Sequence, residues 1–260
     1  MSSAPNIRVD LEGSCARVTI DRADRRNAMT LAMWQGMADV FGQLGADRSV
    51  RAIVLTGAGA DFSTGADIGE FDEIRHDAAA SAAYEVAVDA CSSAIESVPQ
   101  PTVAALHGYC LGGGCHLSLA CDFRVADATA RIGIPAARLS IVYGLRSTQR
   151  LLALVGLSNA KRILFSAMRL EPEEARRVGL VDEIATDSVQ GAVELVRPMI
   201  GNAPLSIAGA KRLLNDAAMR AGALSPSEVQ GIIDHASNSH DYREGRAAFR
   251  EKRAPRFRGD

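Results

Sequence analysis

His107-Gly108-Tyr109-Cys110-Leu111-Gly112-Gly113-Gly114-Cys115-His116-Leu117 is the stretch that decides how this chain is read. An apolar run from Thr102 to Leu106 precedes it and reads as a strand, and an apolar helix ending near Cys121-Asp122 follows. Glycines fill the join. Lacking Cβ atoms, they let the main chain come close to a ligand. The helix beginning behind them aims unpaired N–H groups and the positive end of its dipole forward. The expected product is an anion hole built from backbone. A second unit of the same kind lies upstream: Ala52 to Gly57 reads as a buried strand, and Gly59 to Ile68 as a loop entering a helix. Two such units converging on one oxygen would stabilise an enolate or a tetrahedral oxyanion.

Working outward, Ile7 to Leu11 and Ala16 to Ile20 alternate as two antiparallel strands about Glu12-Gly13-Ser14. Thr30 can cap a helix running to about Leu44; a strand over Ala52 to Thr56, a helix through Tyr84 to Ser97 and a strand over Phe123 to Ala126 continue the alternation. Stacked βαβ units, an α/β class, follow from it. Beyond about Pro198 the pattern is helical: Pro204 to Ala221, Ser225 to Ser239 and Asp241 to Lys252. With 260 residues, 47% of them hydrophobic, the chain can bury a full core, and a net charge of −2 argues against non-specific nucleic-acid binding. The five cysteines are odd in number and read as reduced, buried thiols in a cytoplasm. The N-terminal residues have no signal-peptide pattern and no run of 18 apolar residues occurs, so neither export nor a membrane span is expected.

The phrases DRADRRNAM (Asp21 to Met29), ADFSTGADI ending at Ile68, Pro101 to Asp122, STQRL (Ser147 to Leu151), EARRVGLVDEI (Glu174 to Ile184) and EGRAAFREKRAPRF (Glu244 to Phe257) together resemble the enoyl-CoA hydratase/isomerase, or crotonase, family. The resemblance spans nearly the whole chain in the right order. It implies a crotonase-like ββα spiral over residues 1–197 and a C-terminal helical oligomerisation region over 198–260, assembling a homotrimer or homohexamer. It further implies an acyl-CoA substrate and no separate cofactor or metal. The oxyanion donors would be the backbone N–H groups of Ala66 and Gly113. CoA would lie against Arg25, Arg26 and Ala28, with Ala66, Asp67 and Ile68 around the adenine and Phe249 and Lys252 reaching in from a neighbouring subunit.

Hydratases of that family carry one glutamate just after the glycine run and another after a Gly-x-Pro step. This chain has His116 and Ala136 there. Hydration needs one group to activate water and another to protonate the α-carbon, so the usual hydratase mechanism is not expected. His116 lies one helical turn beyond Gly113 and can face the thioester; a helix N-terminus disfavours its cation, leaving a neutral imidazole as candidate base, against the alternative of a hydrogen-bonded core histidine. Tyr143 is the other candidate, because family members that decarboxylate malonyl-type thioesters carry a functional tyrosine in a similar segment; the alternative is a plain pocket wall. Dienoyl-CoA isomerases place an aspartate one residue on, where this chain has Gly144. The helix from Asp67 to Ala83, alanine-rich, is expected to line the acyl pocket. A zinc site from Cys110, Cys115, His116 and Cys121 lacks C-x-x-C spacing, and the glycines after Thr56 lack the third glycine of a dinucleotide loop. The expected function is enolate stabilisation in a hydratase/isomerase-like enzyme, with a malonyl-type decarboxylase and a non-catalytic acyl-CoA binder as alternatives.

Overall fold

A computed structural model describes residues 5–202, 204–218, 227, 234, 238–253 and 255. One sheet has six strands in the order β1-β2-β3-β4-β6-β9. Strands β1 (Ile7–Glu12) and β2 (Cys15–Ile20) pair antiparallel, with Ile7 opposite Ile20. The remaining neighbours, β3 (Ala52–Gly57), β4 (Thr102–Leu106), β6 (Phe123–Ala126) and β9 (Glu183–Ile184), join in parallel. The central strands are apolar throughout because both faces are covered. Ile53, Leu55, Ala104 and Leu106 enter the main core, and alternate residues Val54, Val103 and Val125 meet Ala192 and Val196 of helix α7 (Ser188–Ile200). The α7 helix runs through the expected boundary at residue 197 and is packed on this sheet.

A second, smaller sheet holds β5 (Tyr109–Leu111), β7 (Arg131–Gly133) and β8 (Arg169–Leu170). Its ladder continues beyond the strands through the parallel bridges Ser63 to Cys110 and Met29 to Ala66. Successive turns of chain thus lay one segment in the large sheet, one in the small layer and then a helix, which is the expected α/β spiral. Helix α1 (Leu31–Ala46) starts where Thr30 Oγ1 accepts from Met33 N at 3.2 Å and packs its Met33, Met37 and Phe41 face against α3 (Ala78–Ser97).

Several expectations change. The glycine stretch contains a strand of its own, β5, paired with β7. The helix expected over 67–83 is broken: a 3-10 turn (Ile68–Glu70) leads into the short α2 (Phe71–Ile74), and α3 begins only after Asp77, whose carboxylate accepts from Ala80 N at 2.7 Å. That cap competes with continuation of the preceding helix. Helix α8 (Pro204–Ala218) occupies the stretch expected to be helical to Ala221, whose last three residues lie outside the described ones, and the last helix is α9 (His240–Arg250), capped by Ser239. The helix expected over 225–239 lies largely outside the described residues. Helices α4 (Gly113–Ala120) and α5 (Leu145–Ser166) complete the site. All five cysteines are free and buried. Among the described residues no helix is long and apolar enough to cross a membrane.

Candidate active site

The loop after β3 and the turn from β5 into the next helix meet at a cavity of about 670 Å³ whose wall includes Ala66 and Gly113. A Cβ built on Gly113 would lie 3.3 Å from Ala66 N, so the two main chains are in contact range. Two glycines make this approach possible. Gly65 has φ +95°, and a Cβ there would fall 2.7 Å from Gly113 N and 2.8 Å from Leu111 O. Gly112 precedes α4 at φ 54°, ψ −119°, a conformation open in practice to glycine alone. The N–H groups of Ala66 and Gly113 donate to no acceptor among the described residues. Two unpaired donors, one of them at a helix N-terminus, thus converge at the cavity wall, an arrangement chemically suited to a negatively charged oxygen.

Asn27 pins the upstream loop. Fully buried and left-handed at φ 56°, it accepts from Arg22 N at 2.9 Å and donates from Nδ2 to Ala58 O at 2.9 Å and Asp61 O at 2.6 Å. Ser63 Oγ donates to Asn27 O at 2.7 Å and accepts from Gly65 N at 3.1 Å, which fixes the residue before Ala66.

The mouth of the cavity is cationic. Exposed Arg25, Arg26, Arg138 and Arg169 line it, with Arg26 and Arg169 stacked on Tyr109 at 5.3 and 5.2 Å from the ring centre. Ala28, Asp67 and Ile68 stand in the wall as expected, Asp67 held by Arg22 at 2.7 Å. Phe249 lines the cavity of its own chain. The reason is the seat of α9, whose Gly245 lies so close to Leu139 that a Cβ would come within 2.9 Å of its Cα. Lys252 is exposed and lies outside the wall.

His116 and Ala136 both border the cavity. His116 is only 4% exposed, and burial together with the Arg150 charge lowers its pKa to about 3. Arg150 Nη1 lies 3.3 Å from Nε2, and since a guanidinium only donates, Nε2 accepts. This assigns the proton to Nδ1, which donates to Ser147 Oγ at 2.9 Å, while Ser92 Oγ lies 2.8 Å from Nε2. The imidazole is neutral, as expected, and tied on every side. Arg150 is itself paired with Glu96.

Tyr143 Oη lies 3.6 Å from the Cβ position of Gly112, beside the oxyanion hole. Burial raises its pKa well above the ordinary phenol value; Cys115 and Glu85 add to the rise and Arg75 opposes it. The hydroxyl is therefore a neutral donor. Its ring stands 6.1 Å from that of His116.

Sequence reasoning missed the inner wall: Trp34, Phe71, Arg75, Tyr84 and Glu85. Trp34 Nε1 donates to Tyr84 Oη at 2.7 Å, and its ring edge lies 3.0 Å from the Cβ position of Gly113. The available signal was the one-face spacing of Tyr84, Glu85 and Val88 on a helix otherwise rich in alanine.

An α/β spiral in which two glycine loops bring unpaired N–H groups together at a cavity with a cationic mouth and a largely aromatic interior is the architecture of one family. The chain belongs to the enoyl-CoA hydratase/isomerase, or crotonase, family, whose model matches residues 10–260. It is 35% identical over 213 residues to the short-chain-enoyl-CoA hydratase of Clostridium acetobutylicum, covering 81% of each chain. The crystal structure of an enoyl-CoA hydratase/carnithine racemase from Magnetospirillum magneticum superposes with a TM-score of 0.80 at 32% identity, covering 99% of this chain and 97% of that one. A methylmalonyl-CoA decarboxylase has the same fold, with a TM-score of 0.90 at 22% identity over 99% of this chain and 100% of the other. This is a crotonase-family, acyl-CoA-processing enzyme of the hydratase/isomerase kind.

Proposed function

We propose that the chain binds an acyl-CoA with the thioester carbonyl oxygen between the N–H groups of Ala66 and Gly113 and stabilises the enolate formed at the α-carbon. The unpaired state of those two converging donors carries the reading. The mouth arginines Arg25 and Arg26 supply charge for the CoA phosphates, and no cofactor beyond CoA enters. Tyr143 is the proton donor nearest the hole. His116, too weak a base at a pKa of about 3 to remove an α-proton efficiently, keeps a positioning role through Ser147. A second reading, decarboxylation of a malonyl-type ester, draws on the neutral state of Tyr143. Loss of CO2 leaves its bonding electron pair as the enolate without any base, and a neutral phenol then delivers the proton to carbon. A homotrimer or homohexamer belongs to the reading, since α8 leaves Leu213 and Leu214 exposed; sedimentation velocity measures it.

The test is a panel of crotonyl-, butyryl- and malonyl-type CoA esters in D2O. Deuterium at the α-carbon of the product is expected, where the enolate is protonated. Gly65→Ala, whose Cβ would press on Gly113 N, should lower the rate by about 100-fold or more. Tight binding with neither product nor exchange would leave only a binding protein.

A further inference from the structure

The interior of the cavity holds a cation that the reaction at the oxyanion hole does not use. Arg75 follows α2, is 4% exposed, and is the buried arginine among those described in the wall. Its guanidinium lies against Phe71 and Tyr84, 4.8 and 4.9 Å from their ring centres. Nη2 meets Glu85 Oε1 at 3.0 Å, yet Nε is buried with no acceptor. Arg75 borders the cavity, and its single carboxylate partner leaves other donors of the guanidinium for a ligand there. The exposed arginines at the mouth already serve the phosphates. Contact with two rings inclined at 71° to each other restrains the guanidinium, which suits recognition of a carboxylate.

We infer that Arg75 receives a second carboxylate carried by the acyl chain, so that the preferred substrates are CoA half-thioesters of dicarboxylic acids. This rests on the acyl-CoA reading above. Glu85 does not use up the guanidinium, whose five donors can bridge two carboxylates. Glu85 keeps 30% of its side chain exposed. Its carboxyl is pushed up by burial and by the Asp89 charge, against the pull of Arg75, so it can take up a proton as a second carboxylate arrives beside it and Tyr84 and Tyr143. An arginine serving only as a strut for Glu85 would show no preference for charged over neutral acyl chains.

The experiment is calorimetric titration of the full-length protein with butyryl-CoA and with succinyl-, glutaryl- and adipyl-CoA. At least one of the three anionic thioesters should bind about 10- to 100-fold more tightly than butyryl-CoA. That ratio should fall to within about threefold of unity in Arg75→Met and survive in part in Arg75→Lys, which keeps the charge without the fork. Arg75→Met combined with Glu85→Gln removes both charges together, so a folded protein remains if the single variant is unstable; the ratio should be lost there too. Equal affinity for neutral and anionic thioesters in the wild type, or a ratio that persists without Arg75, overturns the inference. Failure of every thioester to bind is a different result: it defeats the acyl-CoA reading and this inference along with it.

Discussion

At the level of single residues, the hydroxyl of Tyr143 and the ring that carries it have separable tasks. The hydroxyl is held protonated beside Gly112 and in the proposed reaction delivers a proton to the enolate carbon, whereas the ring fills the cavity wall. Tyr143→Phe should therefore lower kcat by about 100-fold or more while leaving the Kd for acyl-CoA within a few-fold. Tyr143→Ala should also weaken binding, because apolar contact is lost. A Phe variant with undiminished kcat would take the hydroxyl out of the chemistry. His116 yields a pH prediction. Its pKa falls from about 6.5 unfolded to about 3 folded, so in that window the unfolded chain binds the extra proton. The stability it confers is complete above pH 6.5 and is lost as pH falls toward 3, by at most about 1.4 kcal/mol per pH unit. Urea unfolding at pH 7, 6 and 5 should show a shallower decline in His116→Gln than in wild type; parallel declines would contradict the burial-driven shift.

Among elements, the loop from Arg22 to Asn27 depends on one side chain that bonds three main-chain groups across two loops. Asn27→Ala strands those groups and places alanine at a positive φ, for a cost of about 2–4 kcal/mol in denaturant unfolding and a matching loss of acyl-CoA affinity. Unchanged affinity would mean that the loop keeps its place without the amide. The convergence of the two glycine loops was legible in sequence because glycine between an apolar strand and an apolar helix has few other uses. The small sheet was not, since β8 has two residues and β5 and β7 three, too few for an alternating pattern to register. Nor was the inner wall, because the break between α2 and α3 turns Arg75 and Glu85 toward one cavity only once tertiary packing is fixed. The apolar pattern after residue 66 looked like one helix, and the Asp77 cap interrupts it.

Across the whole molecule, the site is lined by chain that leaves the C-terminal ends of parallel strands β3 and β4, where connecting segments rather than strand faces are free to vary around a fixed scaffold. Burial of the sheet on both sides makes that scaffold stiff, with Val54, Val103 and Val125 on one face and Ile53, Leu55 and Leu106 on the other. The seat of Trp34 has an optical consequence. It is the sole tryptophan of the 260-residue chain, 1% exposed, and its indole lies against Gly113, a donor of the proposed oxyanion hole, and Tyr84. Its fluorescence is therefore a native, label-free reporter of what occupies the hole: emission should change as acyl-CoA is titrated in, stay constant with a ligand that reaches only the arginines at the mouth, and vanish as a tryptophan signal in Trp34→Phe.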